Sequence, residues 1–278
     1  MHVPKSGGSA MRSALAQLPG CYAGPYYYDR VHFGTDDLGQ AVPEPNKATI
    51  VESGRLAEVV GAHRLVIGHY AAPSLMAAGC AALAVQVREP RSRVLSLYRY
   101  WQTEPAHERP RWGAWGSDLV ARADRPLGEF LRSPAVWPAV SNAISRQLLV
   151  DRTTSTARRA ACLRRWAVVS GSYHRLRRSL RVVEWSQRSD AFLARICAVV
   201  GVEAVPALER ENVTEPLADH QVIDQATHGL LLRLTRADSH LLERLAADGL
   251  LMRRTKQDLD LDFAGTAERL GFHLGTGN

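Results

Sequence analysis

Residues 1–15, MHVPKSGGSAMRSAL, are the stretch of the chain that decides its predicted fold. A short strand, His2-Val3, leads into a loop of small residues, Lys5-Ser6-Gly7-Gly8-Ser9, and a helix is predicted over Ser9–Gln17. Backbone N–H groups in the first turn of a helix lack partners within it, so such a loop favours an anion. Lys5 adds a compact positive charge that suits phosphate or sulfate. We therefore predict an anion site here; the alternative is an ordinary strand–turn–helix start with solvated charges.

Beyond this loop, short apolar runs alternate with segments of helical periodicity, which indicates an α/β domain with a central, mainly parallel sheet flanked by helices. The predicted strands are His2-Val3, Arg64–Gly68, Leu83–Arg88, Ala167–Ser170 and Arg181–Glu184. The predicted helices are Ser9–Gln17, Gly54–Ala62, Ser74–Ala78, Pro90–Gln102, Pro138–Leu149, Thr156–Arg165, Tyr173–Leu180 and Ser189–Val200. Residues 103–137 are predicted to be an irregular insertion with short helices that could cover a site. Residues 219–271 are predicted to be a helical C-terminal segment of the same single domain, 1–278.

The composition is that of a globular protein: 278 residues, 46% of them hydrophobic and 23% charged. No apolar run reaches membrane-spanning length and no signal peptide is visible, so we expect a cytoplasmic protein without a transmembrane segment. Because the glycine loop lies so near Met1, the natural chain could instead begin further upstream. The four cysteines match no zinc spacing, so we expect reduced thiols and no metal. They are Cys21, Cys80, Cys162 and Cys197.

A second informative motif is REPRSRVLSLY at Arg88–Tyr98, where a predicted strand runs into a helix. Pro90 suits the first position of that helix. One face of the helix is apolar and is expected to pack inward, and Arg93, Ser96 and Tyr100 share another face. Arg88 and Ser96 could grip one phosphate between a guanidinium fork and a hydroxyl. By itself the segment is an ordinary amphipathic helix.

Together, Pro-Lys-Ser-Gly-Gly-Ser and Arg-Glu-Pro-(x)2-Arg-(x)2-Ser-(x)-Tyr resemble the two nucleotide motifs of the PAPS-dependent sulfotransferase superfamily. The resemblance is closest to its carbohydrate-type, heparan-sulfate-sulfotransferase-like branch, and it implies a P-loop-like three-layer fold. Ile67-Gly68-His69, Asn142–Gln147 and Glu211-Asn212-Val213-Thr214 are weaker points of similarity. The chain departs from the family pattern at Glu89, where Asp is more usual, and at Glu215-Pro216, where basic residues are common.

The resemblance implies that the cofactor is 3′-phosphoadenosine 5′-phosphosulfate (PAPS) and assigns residues to both of its ends. The first loop would bind the 5′-phosphosulfate, and Arg88 and Ser96 would bind the 3′-phosphate. The residues implied at the 5′ end are Lys5, Ser6, Gly7, Gly8, Ser9 and Ala10. Sulfuryl transfer is an in-line displacement, in which Lys5 would neutralise the charge that builds on the departing oxygen.

His69 is the predicted general base for the acceptor hydroxyl, since imidazole accepts a proton near neutral pH. The alternative is a hydrogen-bonded structural histidine, in which case Glu52, Asp36 or Asp37 could serve. The acceptor is expected to be a hydroxyl on a carbohydrate or a glycolipid. Tyr26-Tyr27-Tyr28, Trp112 and Trp115 could stack on a sugar or simply plug the surface, and Arg109 and Arg111 could meet an acidic acceptor or only solvent.

Two other functions stay open at this point. A P-loop kinase or nucleoside-triphosphate binder would share the first loop, but Gly-(x)4-Gly-Lys-(Ser/Thr) is absent and the lysine precedes the glycines. A non-catalytic homologue that binds nucleotide or glycan is the other alternative. The net charge of +7 favours an anionic partner, and no nucleic acid is expected because no RNA motif or zinc-finger spacing accompanies the arginine clusters.

Overall fold

Every strand pair in the described part of the chain is parallel. The computed structural model describes residues 3, 5–6, 8–24, 28–29, 50–51, 53–109, 113–150, 166–209 and 221–275. The strands are β1 Cys21–Tyr22, β2 Tyr28–Asp29, β3 Ile50–Val51, β4 Leu65–Val66, β5 Leu83–Val87, β6 Leu180–Trp185, β7 Gln221–Ile223 and β8 Phe272–Leu274. They pair as β1 with β4, β2 with β3, β5 with β6 and β7 with β8.

Helices flank these short sheets, so the chain is a mixed α/β protein, as its alternating pattern predicts. The first helices are α1 Gly8–Ala16, α2 Ser53–Ala62, α3 Ala72–Ala77, α4 Pro90–Gln102, α5 Gly113–Arg122, α6 Leu127–Arg132 and α7 Trp137–Val140. The later ones are α8 Ala143–Leu149, α9 Trp166–Ser179, α10 Ser189–Val199, α11 Gln225–Leu234, α12 Arg236–Ala247 and α13 Lys256–Arg269. Short 3-10 turns lie at Pro134–Val136 and Ser186–Arg188.

The β5–β6 pair is buried on both faces, as is typical of parallel strands between helices. On one face Val85 and Val87 pack into a cluster with side chains of α3, α8 and α12. On the other face Val182 packs against Met11 of α1 and Phe192 of α10. Helices therefore pack against both faces of β5, and Arg88 and Glu89 follow at its carboxyl end.

Helix α4 has the predicted bounds, Pro90–Gln102, but it is buried on nearly every side rather than along one stripe. Its inward face packs with α5, α6 and the C-terminal segment. The rings of Tyr98 on α4 and Phe130 on α6 have centroids 5.1 Å apart. The other sides of α4 place charged side chains in the interior, since Arg93 and Arg99 are at most 1% exposed. Arg99 donates to the Gly271 carbonyl and stacks over Phe272.

The C-terminal segment is largely helical as predicted, and the N-cap side chains of α11 and α13 cap the starts of these helices. Asp224 accepts from the Thr227 N–H at the start of α11. Thr255 and Asp258 form a reciprocal capping box at the start of α13. The segment also contains β7 and ends in β8, which pairs with it. Through Leu231, Phe263 and their neighbours it packs against α4 and closes that side of the molecule.

Three sequence predictions about secondary structure are wrong in the described residues. Ala167–Ser170 is part of helix α9 and not a strand, because a four-residue apolar run fits either structure and the helical segment after it extends backwards. The predicted helix Pro138–Leu149 is broken at Asn142, whose left-handed φ of 46° separates α7 from α8. Val3 is buried but lies in no strand, and its predicted partner His2 lies outside the described residues.

Residues 103–137 contain helices α5 and α6, so much of the predicted insertion is regular. Leu119, Val120 and Phe130 from this region pack against α4 in the same hydrophobic cluster. The region is thus part of the core. Its predicted role as a cover over the site stays a prediction.

None of the described helices has the length and the apolar character to cross a bilayer. Cys21, Cys80 and Cys197 are free thiols, and burial raises the pKa of Cys21 to about 11. Cys162 and the predicted helix Thr156–Arg165 lie outside the described residues.

Candidate functional site

The predicted anion loop begins with a tight turn at Lys5. The Ser6 N–H donates to the Val3 carbonyl at 3.2 Å, and Lys5 takes a left-handed φ of 66° that non-glycine residues rarely adopt. Helix α1 then begins at Gly8, which places Ser9 and Ala10 in its first turn. The N–H groups of this turn have no partner within the helix and point toward the loop. Gly7 lies outside the described residues.

Lys5 lies at the meeting point of the two motifs. Its Nζ is 4.0 Å from the centroid of the Tyr100 ring, on helix α4. The Arg88 guanidinium donates to the Lys5 carbonyl at 3.3 Å. Burial, and then the nearby charge of Arg88, lower the pKa of Lys5 to about 8. The structure therefore brings together two cations that the sequence places in separate motifs.

Arg88 follows directly after β5 and is half-buried. Burial is the main cause that lowers the pKa of its guanidinium; Asp262 opposes this effect and Arg269 adds to it. No ion pair joins Lys5 or Arg88 to a carboxylate within the residues that the structure describes. Arg88 lowers the pKa of Lys5, and two neighbouring cations favour an anion between or beside them.

Ser6 adds a second indication of an anion at this loop. Its side chain is completely buried, and its Oγ has no hydrogen-bond partner among the described residues. A buried hydroxyl without a partner is costly, and native structures rarely keep one without a reason. The Ser6 hydroxyl, the Lys5 ammonium and the first turn of α1 are all donors at one loop.

Tyr28 packs against His69, the predicted general base. The rings of Tyr28 and His69 stack with centroids 5.0 Å apart and planes 9° from parallel, and the two backbones form a parallel bridge. Burial raises the pKa of Tyr28, the neighbouring Tyr100 raises it further, and Arg12 lowers it. His69 is only 8% exposed. The predicted base is thus buried against the Tyr28 ring.

Ser96 is the residue that the second motif predicts to act with Arg88. It lies one turn before Tyr100 on α4 and is buried. No hydrogen bond joins Ser96 to Arg88 in the described part of the chain. Their shared grip on a phosphate stays a prediction.

Arg93 and Tyr98, two further positions of the second motif, serve the fold. Arg93 donates to the Val140 carbonyl at 2.8 Å, and the Tyr98 hydroxyl donates to the Arg125 carbonyl at 2.6 Å. Arg93 is therefore not on a ligand face with Ser96 and Tyr100, because the elements packed around α4 enclose it.

Glu89, the departure from the family pattern, is the N-cap of α4. Its carboxylate accepts from the Ser92 N–H at 2.6 Å and from the Arg91 side chain at 2.7 Å. Arg91 in turn pairs with Asp260 of α13 and meets His228 of α11. Because a carboxylate already fills the N-terminus of α4, an anion can be held at this corner only by side chains.

Several other predicted residues have structural partners or fall outside the description. Arg109 forms a two-fold contact with Asp124, at 2.7 and 2.8 Å, rather than facing a cleft. Asn142 accepts from the Ala237 N–H, and Gln147 donates to the Tyr70 carbonyl, so the similarity at Asn142–Gln147 falls on structural contacts. Predicted residues outside the described part are Tyr26, Tyr27, Asp36, Asp37, Glu52, Arg111, Trp112 and Glu211-Asn212-Val213-Thr214, and of Trp115 only the backbone is described.

The sequence predicts Tyr100 only as a helix-face residue and does not predict its contact with Lys5. Its spacing from Ser96 was the available signal. An apolar cavity of about 30 Å³ lies beneath the loop, between α1, β4 and α10, lined by Gly8, Met11 and Phe192 among others. It is too small and too apolar to hold a nucleotide phosphate. The described residues contain no cluster of three potential metal ligands.

Comparison of the chain with protein-family models, with curated proteins and with solved structures gives no match. The geometry of the loop, of Arg88 and of the tyrosines therefore has to support a functional assignment by itself.

Proposed function

We propose that this chain is a PAPS-dependent sulfotransferase that acts on a hydroxyl of a carbohydrate or glycolipid. The observation that carries the proposal is the contact between the two motifs, in which Arg88 donates to the Lys5 carbonyl. A loop and a strand end that each favour an anion, held side by side, suit a nucleotide that carries phosphate at both its 5′ and its 3′ positions. The proposal includes a P-loop-like three-layer fold and a cytoplasmic location.

The donors of the first loop fit the 5′ end of such a nucleotide. The first-turn N–H groups of α1 and the buried hydroxyl of Ser6 would hold non-bridging oxygens. Lys5 would place its ammonium against the oxygen that gains charge as the sulfur–oxygen bond breaks. The lowered pKa of about 8 still leaves most of this lysine protonated at neutral pH.

Arg88 fits the 3′-phosphate, with the hydroxyl of Ser96 as its proposed companion. A half-buried guanidinium has already lost part of its hydration, which lowers the further desolvation cost of binding a phosphate. Since Glu89 fills the N-terminus of α4, the selectivity for a 3′-phosphate would depend on the Arg88 side chain itself.

PAPS supplies an activated sulfuryl group, whose sulfur forms a bond to the acceptor oxygen while its bond to the nucleotide's bridging oxygen breaks. His69 would accept the proton that the acceptor hydroxyl loses. Its stack on Tyr28 fixes the plane of the imidazole. The acceptor would approach from the Tyr28 side, where an aromatic ring can pack against a sugar.

The test is binding of 3′-phosphoadenosine 5′-phosphate (PAP) compared with AMP, which lacks the 3′-phosphate. Calorimetry is expected to show PAP binding at least roughly tenfold more tightly. Arg88→Met should remove this difference by weakening PAP alone, while the matched variant Arg55→Met, at an exposed position on α2, should not change it. Transfer from radiolabelled PAPS to polysaccharides and glycolipids then tests catalysis.

Two results would overturn the proposal. The first is stabilisation of the chain by ATP with magnesium but not by PAP, which would favour a kinase-like nucleotide binder. The second is tight PAP binding without transfer to any acceptor of either class, which would identify a non-catalytic binding protein.

A further inference from the structure

We infer that Tyr100 is a positioning residue, whose ring holds the Lys5 ammonium at the junction of the two motifs and presents it to the transferred group. This inference rests on the proposed function and adds a residue to it. The contact that supports it is the 4.0 Å distance between Lys5 Nζ and the centroid of the Tyr100 ring.

The backbone at Lys5 is fixed, but its side chain needs a separate restraint. The left-handed φ of 66°, the Ser6-to-Val3 hydrogen bond and the Arg88 contact with the Lys5 carbonyl together set the direction in which the side chain leaves the loop. Four rotatable bonds still separate the Lys5 Cα from its ammonium. Without a contact at its tip, that ammonium would sample many positions, so the Tyr100 ring defines where the charge rests.

An aromatic ring suits this task better than a carboxylate. The face of the ring attracts the ammonium without neutralising it, so the charge stays available to an incoming anion. A carboxylate would pair with Lys5 and repel the same anion. The charged neighbour that lowers the pKa of Lys5 is Arg88, a second cation that cannot itself hold the ammonium.

The chain offers an unusually direct test because its only lysines are Lys5, Lys47 and Lys256. Labelling lysine at Cε with ¹³C gives three signals, which single substitutions assign. In the wild-type protein, the Lys5 CεH₂ protons should be shifted upfield by the ring current of Tyr100, and the signal should titrate near pH 8. Lys256, exposed at the start of α13, is the internal reference.

Two variants separate the ring from the rest of the site. Tyr100→Phe keeps the ring and should keep both the upfield shift and the titration near pH 8. Tyr100→Leu removes the ring, so the ammonium should move to water, the upfield shift should vanish and the midpoint should rise toward 10.5. Tyr173→Leu, which deletes a tyrosine that packs against Arg244 on another helix, is the matched control and should change neither.

Kinetics then tests what the restraint does. Tyr100→Leu should lower kcat by roughly tenfold with a smaller effect on the KM for PAPS, and Tyr100→Phe should restore kcat. An unshifted Lys5 signal in the wild-type protein overturns the inference even if no variant folds, and so does a Tyr100→Leu protein with an unchanged titration or unchanged kcat. Failure of PAP to bind the wild-type protein removes the proposed function instead, while the NMR signals still report whether the ring holds Lys5.

Discussion

Arg88 and Arg93 are five positions apart at the same strand–helix corner, and burial lowers the pKa of both, yet their surroundings differ. Arg93 is enclosed with a carbonyl to donate to and with the opposing charge of Asp238. Arg88 is also opposed by a carboxylate, Asp262, but it donates to the backbone of Lys5, a second cation with a lowered pKa. A compensated buried charge can serve the fold, whereas adjacent enclosed cations store unfavourable energy that a bound anion would release.

Removing the charge of Asp238, which opposes that of Arg93, should have the largest effect on stability. Its buried carboxylate accepts from the Ser145 N–H at 2.7 Å and from the Ile144 N–H, so it fixes the start of α8 and opposes the charge of Arg93. Asp238→Asn keeps the shape and removes the charge. We expect a loss of about 3 kcal/mol or more in the free energy of unfolding, measured by urea denaturation.

The control for Asp238→Asn is Asp118→Asn, which breaks the exposed Asp118–Arg122 pair on α5. That variant should cost less than about 0.5 kcal/mol. Equal losses for the two variants would mean that the charge on Asp238 does not compensate Arg93. This result would contradict the contrast drawn between Arg93 and Arg88.

Removing the ammonium of Lys5, the neighbour of Arg88, should lower activity without lowering stability. Lys5→Met keeps most of the side-chain volume and removes the ammonium, so we expect sulfuryl transfer to fall by roughly a hundredfold or more. The same substitution at Lys256, exposed at the start of α13, should leave transfer unchanged. Full activity in Lys5→Met, measured with radiolabelled PAPS, would contradict the role assigned to this lysine.

The parts of the fold that could be predicted from sequence are those with strong local signals. Pro90, just after a valine-rich run, sets both the end of β5 and the start of α4. The glycine loop likewise predicts α1 within one residue of its start. In the candidate site, the position of Arg88 was predictable in the same way, because it lies between β5 and α4, and Lys5 was predictable from the loop that precedes α1.

What could not be predicted depends on packing between distant segments. The break at Asn142 exists because its side chain accepts the Ala237 N–H, almost a hundred residues later in the chain. The helical wheel places Arg93 with Ser96 and Tyr100, and the elements packed around α4 decide that Arg93 is enclosed while Tyr100 meets Lys5. The stack of Tyr28 on His69 accompanies a backbone bridge between β2 and a distant residue that lies in no strand, which no local pattern shows.

Glu89 affects the surroundings of both arginines, since it caps the helix that carries Arg93 and immediately follows Arg88. Glu89→Ala removes the cap on Ser92 and leaves Arg91 without its nearest carboxylate. We expect a loss of about 2 kcal/mol in the free energy of unfolding, together with weaker PAP binding as the corner loosens. Glu129→Ala, in the first turn of α6 where no side chain caps the helix, should cost under about 0.5 kcal/mol. Similar losses in both variants would show that Glu89 contributes only ordinary helix-end charge.

The smallest expected effect is a dependence of stability on pH that belongs to Lys5. Its pKa is about 8 in the folded protein and 10.5 as the ordinary value, so between these values the unfolded chain binds more protons than the folded one. Stability from this group therefore rises as pH increases, by at most about 1 kcal/mol between pH 8 and pH 9.

Raised pKa values of Cys21 and Tyr28 act in the opposite direction at higher pH, so the informative quantity is the difference between wild type and Lys5→Met, which shares them. Parallel stability curves for the two proteins from pH 7 to pH 9 would mean that Lys5 is not enclosed beside Arg88. A bound anion should flatten the wild-type curve toward that of the variant, because it restores the charged form of the lysine.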